Sequence, residues 1–113
     1  MDPRRSLGNR GESAAAAWYE GHGYQVLARN WRCRQGEIDL IVRRDHLVAF
    51  CEVKTRSSLA FGLPVEAVTR EKRARIRHLA ARWLEDAPLR PGIIRFDVAS
   101  VRGDQAEVLE GAF

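Results

Sequence analysis

Lysine is scarce in this chain: of nineteen basic residues, seventeen are arginine, and Lys54 and Lys72 are the two exceptions. Arginine meets phosphate through a planar fork, so this excess, with a net charge of +4, favours a polyanionic partner over a merely soluble basic surface. Cysteine is almost as rare. Cys33 and Cys51 stand far apart and form no CxxC pattern, which removes zinc and redox motifs and leaves two reduced thiols as the expectation. No run approaches the roughly 18 apolar residues of a membrane span. The paired Arg4 and Arg5 are not followed by the apolar stretch of a signal sequence, so a cytoplasmic protein with no membrane partner is expected. Repeats, low-complexity tracts and linkers are also missing. A length of 113 residues then allows one compact domain, spanning 1–113, around one core.

Against those absences the chain offers regular patterning. Residues 6–20 read as a helix, with Ala14 to Ala17 supplying propensity and Leu7, Ala14, Ala17 and Trp18 available for a buried stripe, and Gly21 and Gly23 ending it. A first strand is expected over Tyr24 to Trp31. Gly36 to Arg43 and Leu47 to Thr55 form a hairpin rich in β-branched and aromatic residues. Thr69 caps a helix running to about Asp86, whose Ile76, Leu79, Ala80, Trp83 and Leu84 follow the helical stripe. Ile93 to Val101 is a further strand, with Glu107 to Leu109 a short edge. The order is α-β-β-β-α-β. The long helix between two strands calls for a right-handed crossover and parallel pairing, hence an α/β fold with a mixed sheet flanked by helices.

The hairpin carries charges where a buried strand should not. A turn centred between Asp45 and His46 sets Arg43 opposite Val48, Ile41 opposite Phe50, Asp39 opposite Glu52 and Glu37 opposite Lys54. One face then holds Ile38, Leu40, Val42, Ala49, Cys51 and Val53, all apolar. The other holds Glu37, Asp39, Ile41, Phe50, Glu52 and Lys54, and a slip of one residue would bury the charges. Opposed carboxylates with Cα atoms roughly 4.5 to 5.5 Å apart repel. A divalent cation reverses that sign, and Asp39, Glu52 and the Val53 carbonyl offer the oxygen ligands that Mg²⁺ or Mn²⁺ prefers. Lys54 could orient an attacking water beside a scissile phosphate. The alternative is a cross-strand ion pair between Glu37 and Lys54 beside a solvated acidic pair.

Asp39, a gap of twelve, and Glu52-Val53-Lys54 match the PD-(D/E)xK nuclease motif in spacing and strand placement. The wider string is more specific: Gly8-x-x-Gly11-Glu12 with Ala16, Gly23-Tyr24, Asn30, Gly36-Glu37-Ile38-Asp39-Leu40-Ile41, Phe50-x-Glu52-Val53-Lys54-Thr55-Arg56, Phe61-Gly62, Lys72 and Arg95-Phe96-Asp97-Val98. From Leu7 to Val101 the chain resembles the YraN-like family of small bacterial proteins, which are themselves similar to archaeal Holliday junction resolvases. The resemblance implies a restriction-endonuclease-like core, with Glu12 as the first-helix acid that completes the metal site alongside Asp39, Glu52 and Lys54. Ile38 stands where the motif is named for proline, and Cys51 replaces the usual small aliphatic residue.

The substrate so implied is nucleic acid, DNA first and branched DNA by the resolvase likeness. Thr55 and Arg56 leave the strand beside Lys54, either as an ordinary strand exit or as contacts to a phosphate near the cut site. Lys72, by the family pattern, is a further phosphate contact, and Arg75 on the same helix is either another or part of the solvated face of an amphipathic helix. Junction resolvases cut two strands symmetrically, which is compatible with a homodimer. Two other readings use the same residues: a non-catalytic nucleic-acid-binding protein on this scaffold, and a protein-interaction module in which the acidic pair is incidental. His22, His46 and His78 lack ligand spacing, Trp18 and Trp83 read as core, and Asp97 reads as a partner for Arg95.

Overall fold

A computed structural model describes residues 3–55 and 68–113, with side chains from Arg10 onward. Helix α1 spans Pro3–Gly21, and three strands follow: β1 Gln25–Cys33, β2 Gly36–Arg44 and β3 Leu47–Thr55. Helix α2 covers Arg70–Asp86, then β4 Ile93–Arg102 and β5 Gln105–Leu109 complete the chain. The described strands form one sheet in sequential order, antiparallel except where β3 runs parallel to β4. The α/β class, the mixed sheet and the crossover helix are therefore as the sequence predicts. Gln105–Leu109 lengthens the expected short edge into a paired strand. No helix among the described residues is long and apolar enough to cross a membrane.

The alternating hydrophobics of the central strands need cover on both faces, and one helix supplies each. Against α1, Leu40, Val42, Ala49, Cys51, Ala99 and Val101 meet Ala15, Ala16 and Tyr19. Ala17, expected in that stripe, is exposed, because the buried face is set by Ala15, Ala16 and Tyr19 instead. On the opposite face Ile41, Val48 and Phe50 meet Leu79 and Ala80 of α2, with Trp83 and Leu84 half-buried beside them. Thr69 caps α2 as its sequence suggests, its hydroxyl accepting from the Lys72 N–H at 3.1 Å.

A second polar contact ties α1 to β4. Asp97, with no exposed surface, accepts from the Tyr19 hydroxyl at 2.6 Å, from the Gly111 N–H at 3.0 Å and from the Arg95 guanidinium at 2.7 and 2.8 Å. Arg95 also donates to the Tyr24 hydroxyl at 2.9 Å. Every lone pair that this buried carboxylate directs inward is thus answered, which is the condition for a buried charge to persist. Asp97 holds Arg95 as expected. Both cysteines are free thiols, Cys51 buried and Cys33 half-buried.

Candidate active site

The hairpin register expected from alternation holds from Arg44↔Leu47 to Leu40↔Cys51, and there it stops. Beyond that level the two strands no longer pair, and the next inward N–H of β3, that of Val53, is without a β2 backbone partner. The Asp39 side chain takes over, its Oδ2 accepting from the Val53 N–H at 2.8 Å. The alternative ion pair of Glu37 with Lys54 does not form: Glu37 pairs with Arg32 at 2.8 Å and Lys54 with Glu52 at 3.4 Å.

The same level is irregular on β1. Between the pairs Arg29↔Leu40 and Trp31↔Ile38 stand Asn30 and Asp39, and Asn30 has a left-handed backbone, φ 51°. The faces change over at this step. Leu40 lies in the α1 core, yet Ile38, two residues away, lies in the α2 core with Trp31 packed beside it. Strict alternation would keep Ile38 with Leu40, so the apolar face drawn from sequence is corrected at Ile38. The cause is the interruption at Asn30 and Asp39, which resets the period of two on both strands.

This break gathers the functional residues at one end of the sheet, where both helices reach it. Glu52 on β3 is only 5% exposed. Its Oε1 meets Lys54 Nζ at 3.4 Å and, from α2, Lys72 Nζ at 2.7 Å. Burial pulls the Lys72 ammonium down, but its hydrogen bond and charge pairing with Glu52 outweigh that and leave it raised. From α1 comes Glu12, buried, whose Oε2 accepts from Asn30 Nδ2 at 2.6 Å. Burial raises the Glu12 carboxyl, and the Asn30 hydrogen bond and the Arg29 charge work against that rise.

Asp39 carries the clearest electrostatic mark. Burial, followed by the charge of Glu52, pushes it up to about 7, against the lowering effect of the Val53 hydrogen bond; Glu12 and Glu37 add to the rise. Two acids whose charges oppose each other in a partly desolvated place are unfavourable unless a proton or a cation intervenes. Among the described residues no three His, Cys, Asp or Glu side chains converge at metal-ligand spacing. Glu12 is turned onto Asn30, and the cationic partners of Glu52 are ammonium groups. The donor set is nevertheless all oxygen, the type that suits Mg²⁺ or Mn²⁺, and a cation at Asp39 and Glu52 would replace charge that Lys72 now supplies.

Other residues expected to touch substrate divide. Lys72 sits on Glu52, so the structure brings it to the acidic cluster. Arg75 is exposed on α2, its aliphatic stem beside Gly36. Thr55 turns toward α1, where its hydroxyl occupies the space that a side chain at Gly11 would need. Arg56 lies outside the described residues. Two contacts were not anticipated. Asn30 as the partner of Glu12 had a signal in its residue type, since Asn is poor in strands and tolerates left-handed backbone. Lys72 as a partner of Glu52 had one in being half of the chain's lysine.

The model of "Uncharacterised protein family UPF0102" matches residues 11–101. That span includes Glu12, Asn30, Asp39, Glu52, Lys54 and Lys72. A UPF0102 protein of Frankia alni is 47% identical over an alignment covering 100% of this chain and 98% of the relative. One from a Parafrankia strain is 54% identical over 89% of this chain and 86% of its own length. One from Leifsonia xyli is 48% identical over the same shares, 89% and 86%.

Proposed function

The chain belongs to the UPF0102 family, and for this member we propose a metal-dependent nuclease, resolvase-like in character, that hydrolyses phosphodiester bonds of DNA. The observation that carries the reading is Asp39 at the break in the hairpin, its Oδ2 on the Val53 N–H and its carboxyl raised to about 7 by burial and by the charge of Glu52, which itself holds Lys54. On this reading the sheet and its helices are a restriction-endonuclease-like core. Asp39, Glu52 and the Val53 carbonyl would hold Mg²⁺ or Mn²⁺, with Glu12 as an outer acid.

When bound, such a cation supplies Lewis-acid charge and lowers the pKa of a coordinated water. The chain's own residues do the rest. Asp39 would release its proton to solvent on becoming a ligand. Lys54, tethered at Glu52, orients the attacking water and offsets charge growing on the phosphate. Lys72, displaced from Glu52, becomes available to a phosphate oxygen, and Arg75 with the arginines of α2 follows the backbone without reading bases. Thr55 supports Gly11, and through it the turn of α1 that carries Glu12. A homodimer would present two such sites to a branched substrate.

The second reading is a non-catalytic nucleic-acid-binding protein on the same scaffold, favoured by the two lysines that already neutralise Glu52. Linear, flapped and four-way DNA, each with Mg²⁺ or Mn²⁺, separates the two. The nuclease reading expects cation-dependent cleavage that Asp39→Ala, Glu52→Ala and Lys54→Ala abolish. Binding to all three DNAs without cleavage of any would transfer the protein to the second reading.

A further inference from the structure

We propose that Asn30 is a positioning residue for Glu12, turned onto that carboxylate by its own left-handed backbone; this rests on the metal-dependent reading above. Asn30 lies inside a nine-residue strand, where extended backbone is the rule, yet its φ is 51°. For most L-residues that conformation costs roughly 1–2 kcal/mol, and Asn is among the few that tolerate it. Its neighbours show what the kink does. Arg29 points toward α1, donating to the Ser13 hydroxyl at 2.9 Å, and Trp31 packs on the α2 side. Ordinary alternation would turn Asn30 away from Arg29 and toward α2. Instead its amide reaches α1 and donates to Glu12 Oε2 at 2.6 Å.

One oxygen of Glu12 is thereby held, which restricts rotation of the carboxylate, and among the described residues no hydrogen bond takes Oε1, the atom that a cation or its water would meet. Asn30 stands level with Asp39, between the pairs Arg29↔Leu40 and Trp31↔Ile38. The kink therefore aligns the acid from α1 with the acid from β2. Partners of this kind set the orientation of a ligand without touching the metal, and their loss typically weakens binding on the order of 10-fold to 100-fold.

Calorimetric titration of Mn²⁺ into the full chain, the Asn30→Gly and Glu12→Ala variants and the double variant tests the assignment, with a melting curve for each. Glycine accepts the left-handed backbone, so Asn30→Gly should keep the fold, its melting temperature lowered only by the lost amide, while its Mn²⁺ affinity falls on the order of tenfold. Because Asn30 acts through Glu12, the double variant should bind no more weakly than Glu12→Ala alone. Native affinity in Asn30→Gly would overturn the assignment, as would independent losses that multiply in the double variant. A lowered melting temperature with unchanged affinity would make Asn30 a structural residue only. If the native chain takes up no Mn²⁺, the metal-dependent reading itself fails, and the role of Asn30 falls with it.

Discussion

Lys72 Nζ lies 2.7 Å from Glu52 Oε1, so one of the chain's two lysines crosses from α2 to the acid on β3 that already holds the other. Arginine is the commoner base here by far, and its fork would bind this carboxylate more tightly. An ammonium is a point charge on a flexible stem, easier to displace by a cation.

Lys72→Gln should therefore separate two effects. Without Lys72, Glu52 keeps only the longer contact with Lys54, and the metal-free chain should be destabilised by on the order of 1 kcal/mol, tempered by the partial exposure of Lys72. Cation binding no longer has to displace an ammonium, so Mn²⁺ should raise the melting temperature of Lys72→Gln more than that of the native chain. DNA affinity should fall in parallel. Equal thermal shifts in the two proteins would show that Lys72 and the cation do not compete.

Asp39 predicts the pH response. Its carboxyl is raised from 3.8 to about 7, so between those values the folded chain holds a proton that the unfolded chain has released. The metal-free protein should accordingly lose stability as pH rises through that window, with the loss complete above about 7. Mn²⁺ affinity should move the opposite way, rising to about pH 7 and then levelling, because the ligand is the carboxylate. Asp39→Asn keeps an oxygen for the Val53 N–H and removes the charge. At pH 8 it should be more stable than the native metal-free chain by on the order of 1 kcal/mol, with a pH profile that has lost this step.

How far the site could be read from sequence is visible in this same hairpin. Alternating hydrophobics fixed the register from Arg44↔Leu47 to Leu40↔Cys51, because only one register buries both apolar faces. The rule failed at Asp39, where a side chain replaces a backbone acceptor and a left-handed Asn30 resets the neighbouring strand. Neither event leaves a periodic trace. The Thr69 cap and the stripe of α2 were plain, since both are local. The face of α1 was misjudged at Ala17 because a run of alanines marks a helix without marking a side.

Gly11 lies one residue before Glu12, and a Cβ there would strike the Thr55 hydroxyl. Gly11→Ala should destabilise the chain by about 1–2 kcal/mol despite the better helix propensity of alanine, because α1 must lift or Thr55 must turn. Adding Thr55→Ala should restore most of the loss. If Gly11→Ala alone melts at or above the native temperature, α1 is not seated as closely as described.

Asp97→Ala leaves the Arg95 guanidinium without its buried partner and frees the Tyr19 hydroxyl and the Gly111 N–H. A loss of about 3–5 kcal/mol in denaturant unfolding is expected. Mn²⁺ affinity of the protein that remains folded should be unchanged, since none of the hydrogen bonds to Asp97 involves Asp39 or Glu52.

The most direct measurement is Mn²⁺ binding by the full native chain at pH 8, set beside Asp39→Asn and Glu52→Gln, both of which preserve shape. The account predicts saturable binding to the native chain and none to either variant. Undiminished binding in both variants, or no binding by the native chain, would contradict it.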